Sequence, residues 1–349
     1  MLTEPNERAE AQEPESGPPN PVQVRRWRGG QVESVHRGAW ALVDVEGQVL
    51  AESGAAEAPV FARSSTKALQ ALPLIETGAA DRFRYDREET ALALASHNGQ
   101  GCHTRVVERV LSRLGLSTDA LLCGAHRPYD HDAAYELRLK GETPSALHNN
   151  CSGKHAGFLA LALHLGVPPE RYLDPASESQ ELVRQAVLDM TGTPPEELGT
   201  AIDGCSAPTF RMPLRHLARG FARFSNPRAL DEPRRKACER LAEAVECHPD
   251  LIGATRKQIC SDISRATGGR LFPKIGAEAV YVIGERGGER ALAIKMDDGQ
   301  KAGLHPLILH LLRRFGLARR EELDALSSWA AGPIRNWAGL DVGRTEVLD

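Results

Sequence analysis

The chain has no basic run, no long apolar stretch, no paired set of cysteines and very little lysine, and each shortage excludes something. With 43 basic against 47 acidic residues and a net charge of -4, it carries no electrostatic footprint for nucleic acid. Its longest apolar stretches, such as "FLALALHLGV" (158–167), are about half the roughly 20 residues that a bilayer crossing needs. The opening "MLTEPNERAEAQEPESGPPNP" has neither a positive start nor an apolar centre, so a secretory signal is not expected there. Residues 1–20 read instead as a disordered acidic tail. Seven cysteines, an odd number scattered along the chain, argue against a disulfide framework and for reduced thiols in a cytoplasm. The basic residues divide into 35 arginines and 8 lysines. Arginine stays charged, whereas a desolvated lysine can lose its proton and act as a base, so each of the few lysines is a candidate for chemistry.

What remains is an ordinary soluble composition, 41% hydrophobic and 26% charged, in a chain long enough to bury a sizeable core. Residues 21–54 alternate apolar and polar, as in "VQVRRW" and "GAWALVDV", with breaks at "RGG" and "EG", which predicts a meander of antiparallel strands. "EAVYVIGER" and "ERALAIKMDD" flank Gly287 and Gly288 and predict a late hairpin. Between these blocks helical periodicity predicts helices over 65–77, 88–95, 103–114, 153–165, 178–190, 208–224, 233–247 and 253–267, with two more after the hairpin over 305–315 and 320–330. Strands at both ends with helices between them imply an α/β (α+β) fold: one antiparallel sheet built from N- and C-terminal strands and covered by helices. Such a sheet needs both ends, so residues 21–349 are expected to form a single domain with a helical lobe.

Three motifs invite chemistry. "RSSTKAL" sets Ser64 three residues before Lys67, a spacing that puts both on one helix face. A desolvated lysine there can take the serine's proton. Ordinary residue usage supplies roughly 0.4 such pairs by chance in a chain of this content, and Ser64 or Ser65 reads equally as an N-cap, so the motif alone decides nothing. "ASHNGQ" places Ser96 and Asn98 in a loop, and "FPKIGAEAV" places Lys274 just ahead of the late hairpin. Ser-x-x-Lys, Ser-x-Asn and Lys-x-Gly in this order mark the penicillin-recognising serine enzymes. The first two motifs are unusually close, however, and Ile275 stands where those enzymes carry Ser or Thr.

"HNNCSGKHAGFL" and "AIDGCSAPTF" each put a cysteine in a tight turn. By chemistry alone Cys151, His155, Asp203 and Cys205 make a zinc set; Cys151 and Cys205 read equally as small buried residues. The remaining cysteines read as core or helix-face residues, and "HRPYDHD" (126–132) reads as a solvated turn.

Taken together, "RSSTKALQALP", "ASHNGQ", "HNNCSGKHAGFL", "DGCSAPTF" and "KIGAEAVYV" closely resemble the bacterial asparaginase II family of the inducible rhizobial type, from about residue 21 to the C-terminus. The resemblance implies a fold similar to serine β-lactamases and glutaminases, hydrolysis of L-asparagine to L-aspartate and ammonia, and a homodimer. It implies two Ser-Lys tandems, Ser64 with Lys67 and Ser96 with Lys274, whose roles are exchangeable. In the first assignment Ser64 attacks while Lys67, kept neutral beside Lys274, is the base. It further implies zinc, structural or substrate-orienting, on Cys151, Lys154 and Cys205, and Asp203 near the substrate amine. Arg63, next to Ser64, either holds a carboxylate or faces solvent. The alternatives are a serine hydrolase acting on glutamine or β-lactams, and a metal-stabilised amino-acid-binding protein without catalysis.

Overall fold

The computed structural model describes residues 19–348, so the acidic tail expected over residues 1–20 lies, except for its last two residues, outside the described residues. The strands are β1 (Val22–Arg28), β2 (Gln31–Asp44), β3 (Val49–Ser53), β4 (Pro59–Phe61), β5 (Gly199–Ile202), β6 (Pro208–Pro213), β7 (Leu271–Ile275), β8 (Val280–Glu285), β9 (Arg290–Met296), β10 (Pro333–Arg335) and β11 (Asp341–Val347). Eight of them form one antiparallel sheet in the order β10-β11-β1-β2-β9-β8-β7, with β3 also paired to β2. The predicted sheet from both chain ends is therefore present, and the hairpin at Gly287 joins β8 to β9.

Strand β2 shows why the sheet is covered on both faces. Its first half is mostly exposed and pairs with β1, while "GAWALV" in its second half is buried at every position. A strand buried on both sides needs cover on both sides. Helix Leu214–Ser225 packs on β2, β8 and β9, and helix Lys301–Arg314 packs on β1, β9 and β11. Phe221 and Phe224 of the first meet Phe272 of β7 with ring centroids 6.1 and 4.7 Å away.

Two expectations are corrected. The helix predicted over 208–224 begins only at Leu214. Residues 208–213 form β6, because Pro213 disfavours helical backbone at Met212 and both edges of "PTFRMP" pair, with β4 and with β5. The helix predicted over 253–267 begins at Ile259; the Ile252 and Gly253 carbonyls instead accept from Ser96 and Asn98 backbone N–H groups. Lys274 lies ahead of the hairpin as expected, within a further strand, β7, where it stands opposite Val282 of β8. The pair β10 and β11 extends the sheet beyond the strands that were predicted. No helix among the described residues is long and apolar enough to cross a membrane.

Candidate active site

The turn carrying Ser64 is built by its neighbours. Strand β4 delivers the chain to Ala62, whose N–H donates to Phe210 O at 2.9 Å, and Arg63 takes the left-handed conformation (φ +51°). A non-glycine residue there stores strain and is held only by its surroundings. The hydroxyls of Ser65 and Thr66 then fold back onto the Ala62 and Arg63 carbonyls at 2.5 and 3.0 Å. Neither Ser64 nor Ser65 is an N-cap; both lie inside the 3-10 turn Arg63–Thr66. Among the described residues the Ser64 hydroxyl has no hydrogen-bond partner, and it lines a cavity of about 490 Å³ together with Ser96.

Strand β7 closes against this turn at Gly276. A Cβ on Gly276 would meet Ala62 O at 2.8 Å and Ser65 N at 3.2 Å, so the close approach expected of this glycine is to the serine turn. The same strand end brings in Lys274, whose Nζ donates to Ser96 Oγ at 2.8 Å and to Ile275 O at 3.3 Å. Lys67 arrives from the other side, donating to Ala95 O at 2.5 Å, Ser96 Oγ at 3.0 Å and Cys151 Sγ at 3.2 Å. Both lysines are 1% exposed. Thus Lys67, expected to face Ser64, is hydrogen-bonded to Ser96, and one hydroxyl joins the two amines. Burial, reinforced by the nearby Lys67 charge, pulls the Lys274 amine down to about 7. As a neutral amine Lys274 can donate to Ile275 O and turn its lone pair to the Ser96 hydroxyl, whereas Lys67 has contacts to a carbonyl, a hydroxyl and a thiol.

Ser96 is fixed from below. His97 and His103 stack with centroids 4.8 Å apart; His97 Nε2 lies 2.9 Å from Ser152 Oγ, and Gly99 N–H donates to His97 Nδ1 at 3.2 Å. Ser152 opens the helix Ser152–Leu165, which is buried through its first eleven residues. Cys151 is the N-cap residue of that helix and Lys154 lies in its first turn. The small sheet β4-β6-β5 brings the loop between β5 and β6, with Asp203 and Cys205, to the same place.

Two charge relationships follow. Arg63 Nε and Nη2 lie 2.8 and 2.7 Å from Asp203 Oδ1, so Arg63 holds a carboxylate of the protein itself, and the pair is not among the cavity-lining residues. Lys154 Nζ lies 3.4 Å from Cys205 Sγ. A hydrogen bond from Cys205, aided by the Lys67 and Lys154 charges, holds the Cys151 thiol well below its ordinary range despite burial. Cys205 is pushed up as the donor of that pair and by burial. Burial opposes the charge on Lys154, but the Cys205 and Cys151 sulfurs and Asp203 outweigh it and raise its pKa.

The zinc set read from chemistry alone is not assembled. His155 Nδ1 is 2.6 Å from the Tyr172 hydroxyl, Asp203 is taken by Arg63, and no group of three or more His, Cys, Asp and Glu among the described residues could hold a metal ion. Cys151, Lys154 and Cys205 do converge, and two soft sulfurs with one amine nitrogen are a donor set that fits zinc once the lysine is deprotonated. All seven cysteines are free thiols; Cys123, Cys238 and Cys260 are buried and Cys247 is exposed.

The far wall of the cavity carries no motif and was missed: Tyr129, Lys257, Lys301, His305 and Trp329. The scarcity of lysine was the one signal that could have flagged two of them. "HRPYDHD" is more than a solvated turn. Its His126 ring stacks on Tyr129 at 4.7 Å and accepts from Asn150 N–H at 2.9 Å, and Asp130 caps the helix His131–Leu139.

Residues 24–347 match the family described as L-asparaginase II. No curated protein sequence matches the chain. Among solved structures it is similar to Mglu in its native form at 4.3 M NaCl, with 13% identity over 85% of this chain and a TM-score of 0.42. The chain spans 65% of the length of Mglu. It is also similar to a β-lactamase from Mycobacterium bovis, with 13% identity over 84% of this chain and 95% of the other, at a TM-score of 0.38. A simvastatin synthase from Aspergillus terreus shares 11% identity over 83% of this chain and 92% of the other, at 0.37.

Proposed function

The chain belongs to the L-asparaginase II family, and from that premise we propose that it hydrolyses the side-chain amide of L-asparagine to L-aspartate and ammonia by way of a serine ester. The observation that carries the reading is Ser96 Oγ lying between Lys274 Nζ and Lys67 Nζ in the wall of a cavity that also presents the unengaged Ser64 hydroxyl.

In this reading Ser64 attacks the amide carbon. Its proton passes to the Ser96 oxygen as Ser96 hands its own to the neutral Lys274 amine, so the base is Lys274 and Lys67 anchors the relay. The same path returns a proton to the departing nitrogen, which leaves as ammonia. Water then cleaves the ester and restores Ser64. Asp203, positioned by Arg63, is assigned to the substrate ammonium. Cys151, Lys154 and Cys205 are assigned to a zinc ion, which when bound would supply a fixed positive charge orienting the substrate; none of the steps above passes through it. The homodimer and the cytoplasmic location belong to the same proposal, the first checked by light scattering.

A second reading makes Ser96 the nucleophile, favoured by its hydrogen bonds to both lysines. A diazoketone analogue of asparagine, followed by peptide mass spectrometry, separates the two: an adduct on Ser64 supports the first and an adduct on Ser96 the second. Ammonia release is measured on L-asparagine and L-glutamine, beside the colour change of a chromogenic cephalosporin as its β-lactam ring opens. Release from asparagine, reduced about 10³-fold or more in Ser64→Ala, is expected. Turnover of only the other two substrates selects the alternative hydrolase, and stoichiometric asparagine binding without ammonia selects a binding protein.

A further inference from the structure

The cavity around Ser64 and Ser96 is lined by two lysines beyond the relay, Lys257 and Lys301, and by no aspartate or glutamate. Neither lysine makes a hydrogen bond or ion pair with any described residue. Both side chains are exposed, so the cavity wall carries two positive charges that no carboxylate among its lining residues neutralises. Lys257 is held in the left-handed conformation (φ +54°), a strained backbone state for a residue with a side chain. It sits next to Gln258, whose side chain caps the following helix by accepting from Ser261 N–H at 2.8 Å. Lys301 opens the helix Lys301–Arg314, and His305, one turn on, meets Trp329 edge to face at 4.8 Å. Trp329 is fixed in turn by its indole N–H on Asp262 at 2.9 Å. The wall is thus two cations beside an aromatic surface, an arrangement suited to an anion on a short carbon chain.

Arg63 would be the obvious partner for a substrate carboxylate from its place beside Ser64, but both its contacts fall on Asp203. We propose that Lys257 and Lys301 bind the α-carboxylate of the substrate, so that the cavity selects amides carrying a carboxylate at the end opposite the scissile C–N bond. This rests on the amide-hydrolysis reading and adds the source of its specificity.

The test uses two truncated substrates. Succinamate keeps the carboxylate and lacks the amine; β-alaninamide keeps the amine and lacks the carboxylate. In the double variant Lys257→Met, Lys301→Met, kcat/KM for succinamate divided by that for β-alaninamide is expected to fall about 10- to 100-fold, through KM, as expected for losing charge-assisted hydrogen bonds. KM for L-asparagine in the wild type should also rise with salt. An unchanged ratio with ammonia release intact overturns the subsite and leaves the hydrolase reading standing. If no amide is turned over, the hydrolase reading fails, and calorimetry with L-aspartate still decides the subsite: weaker binding in the double variant supports it and equal binding refutes it.

Discussion

Lys274 Nζ lies 2.8 Å from Ser96 Oγ, tying a sheet strand to a loop 178 residues earlier in the chain. The amine is buried and its pKa is drawn down to about 7, by burial first and then by Lys67. As a base it works only when neutral, so kcat/KM for L-asparagine is expected to rise with pH through about 7 and level off above. Lys274→Arg keeps the charge at every accessible pH and should lose about 10²- to 10⁴-fold in kcat with folding retained by circular dichroism. A wild-type profile flat from pH 6 to 8 would remove Lys274 from the role.

Gly276→Ala tests the contact that sets the nucleophile. The added methyl would press on the backbone of the Ser64 turn at Ala62 and Ser65, and backbone cannot swing aside as a side-chain end can. Overpacking of this kind costs about 1–3 kcal/mol. Activity should fall further than stability, because Arg63 is already strained and any shift there moves Ser64. A variant with normal kcat and a normal unfolding midpoint would show that the turn tolerates displacement.

The sheet, its hairpin and most helices could be read in the sequence because alternation and helical period are local signals. So were Ser64, Ser96, Lys67 and Lys274, through motif order and the rarity of lysine. What could not be read was pairing at a distance. Nothing near Lys67 says that its amine reaches Ser96 instead of Ser64; that follows from the carbonyl of Ala95 and the thiol of Cys151 surrounding it. His155 is the better zinc ligand by chemistry, yet a tyrosine 17 residues on binds its ring. The stretch over 253–258 looks helical by period and is instead a run of bends, with the Gly253 carbonyl accepting from the Asn98 N–H of the Ser96 loop and Lys257 in the left-handed region. Tyr129 and Trp329 enter the site through helix and loop packing that no local pattern encodes.

The convergence of Cys151, Lys154 and Cys205 is tested by metal content. Purified protein is expected to carry about one zinc per chain if the assignment holds, and the double variant Cys151→Ser, Cys205→Ser to carry none, by plasma mass spectrometry. Affinity in the wild type should weaken as pH falls, since a lysine ligand must give up its proton. Equal zinc in both proteins would place any metal elsewhere.

Below the pH at which the relay base Lys274 takes up its proton, acid should next act on the support of Ser96. His103 accepts from Gln100 N–H at Nδ1 (3.1 Å), and its Nε2 lies 3.2 Å from the Asp250 carbonyl; His97 has the matching pattern between Gly99 and Ser152. Each ring therefore fits only as the neutral form with the proton on Nε2. Burial drives the pKa of His103 down to about 4, and burial with the neighbouring His103 lowers that of His97 well below its usual value. Both folded values are depressed, so their contribution to stability is complete above the unfolded value of about 6.5 and is lost as pH falls toward 4. Thermal midpoints measured from pH 7 to 4 should decline across that window, less steeply in His103→Gln, which offers an acceptor and a donor without a titrating ring. A midpoint independent of pH in the wild type would mean that the histidines exchange protons without strain, and that the stacked pair does not hold the Ser96 loop in place.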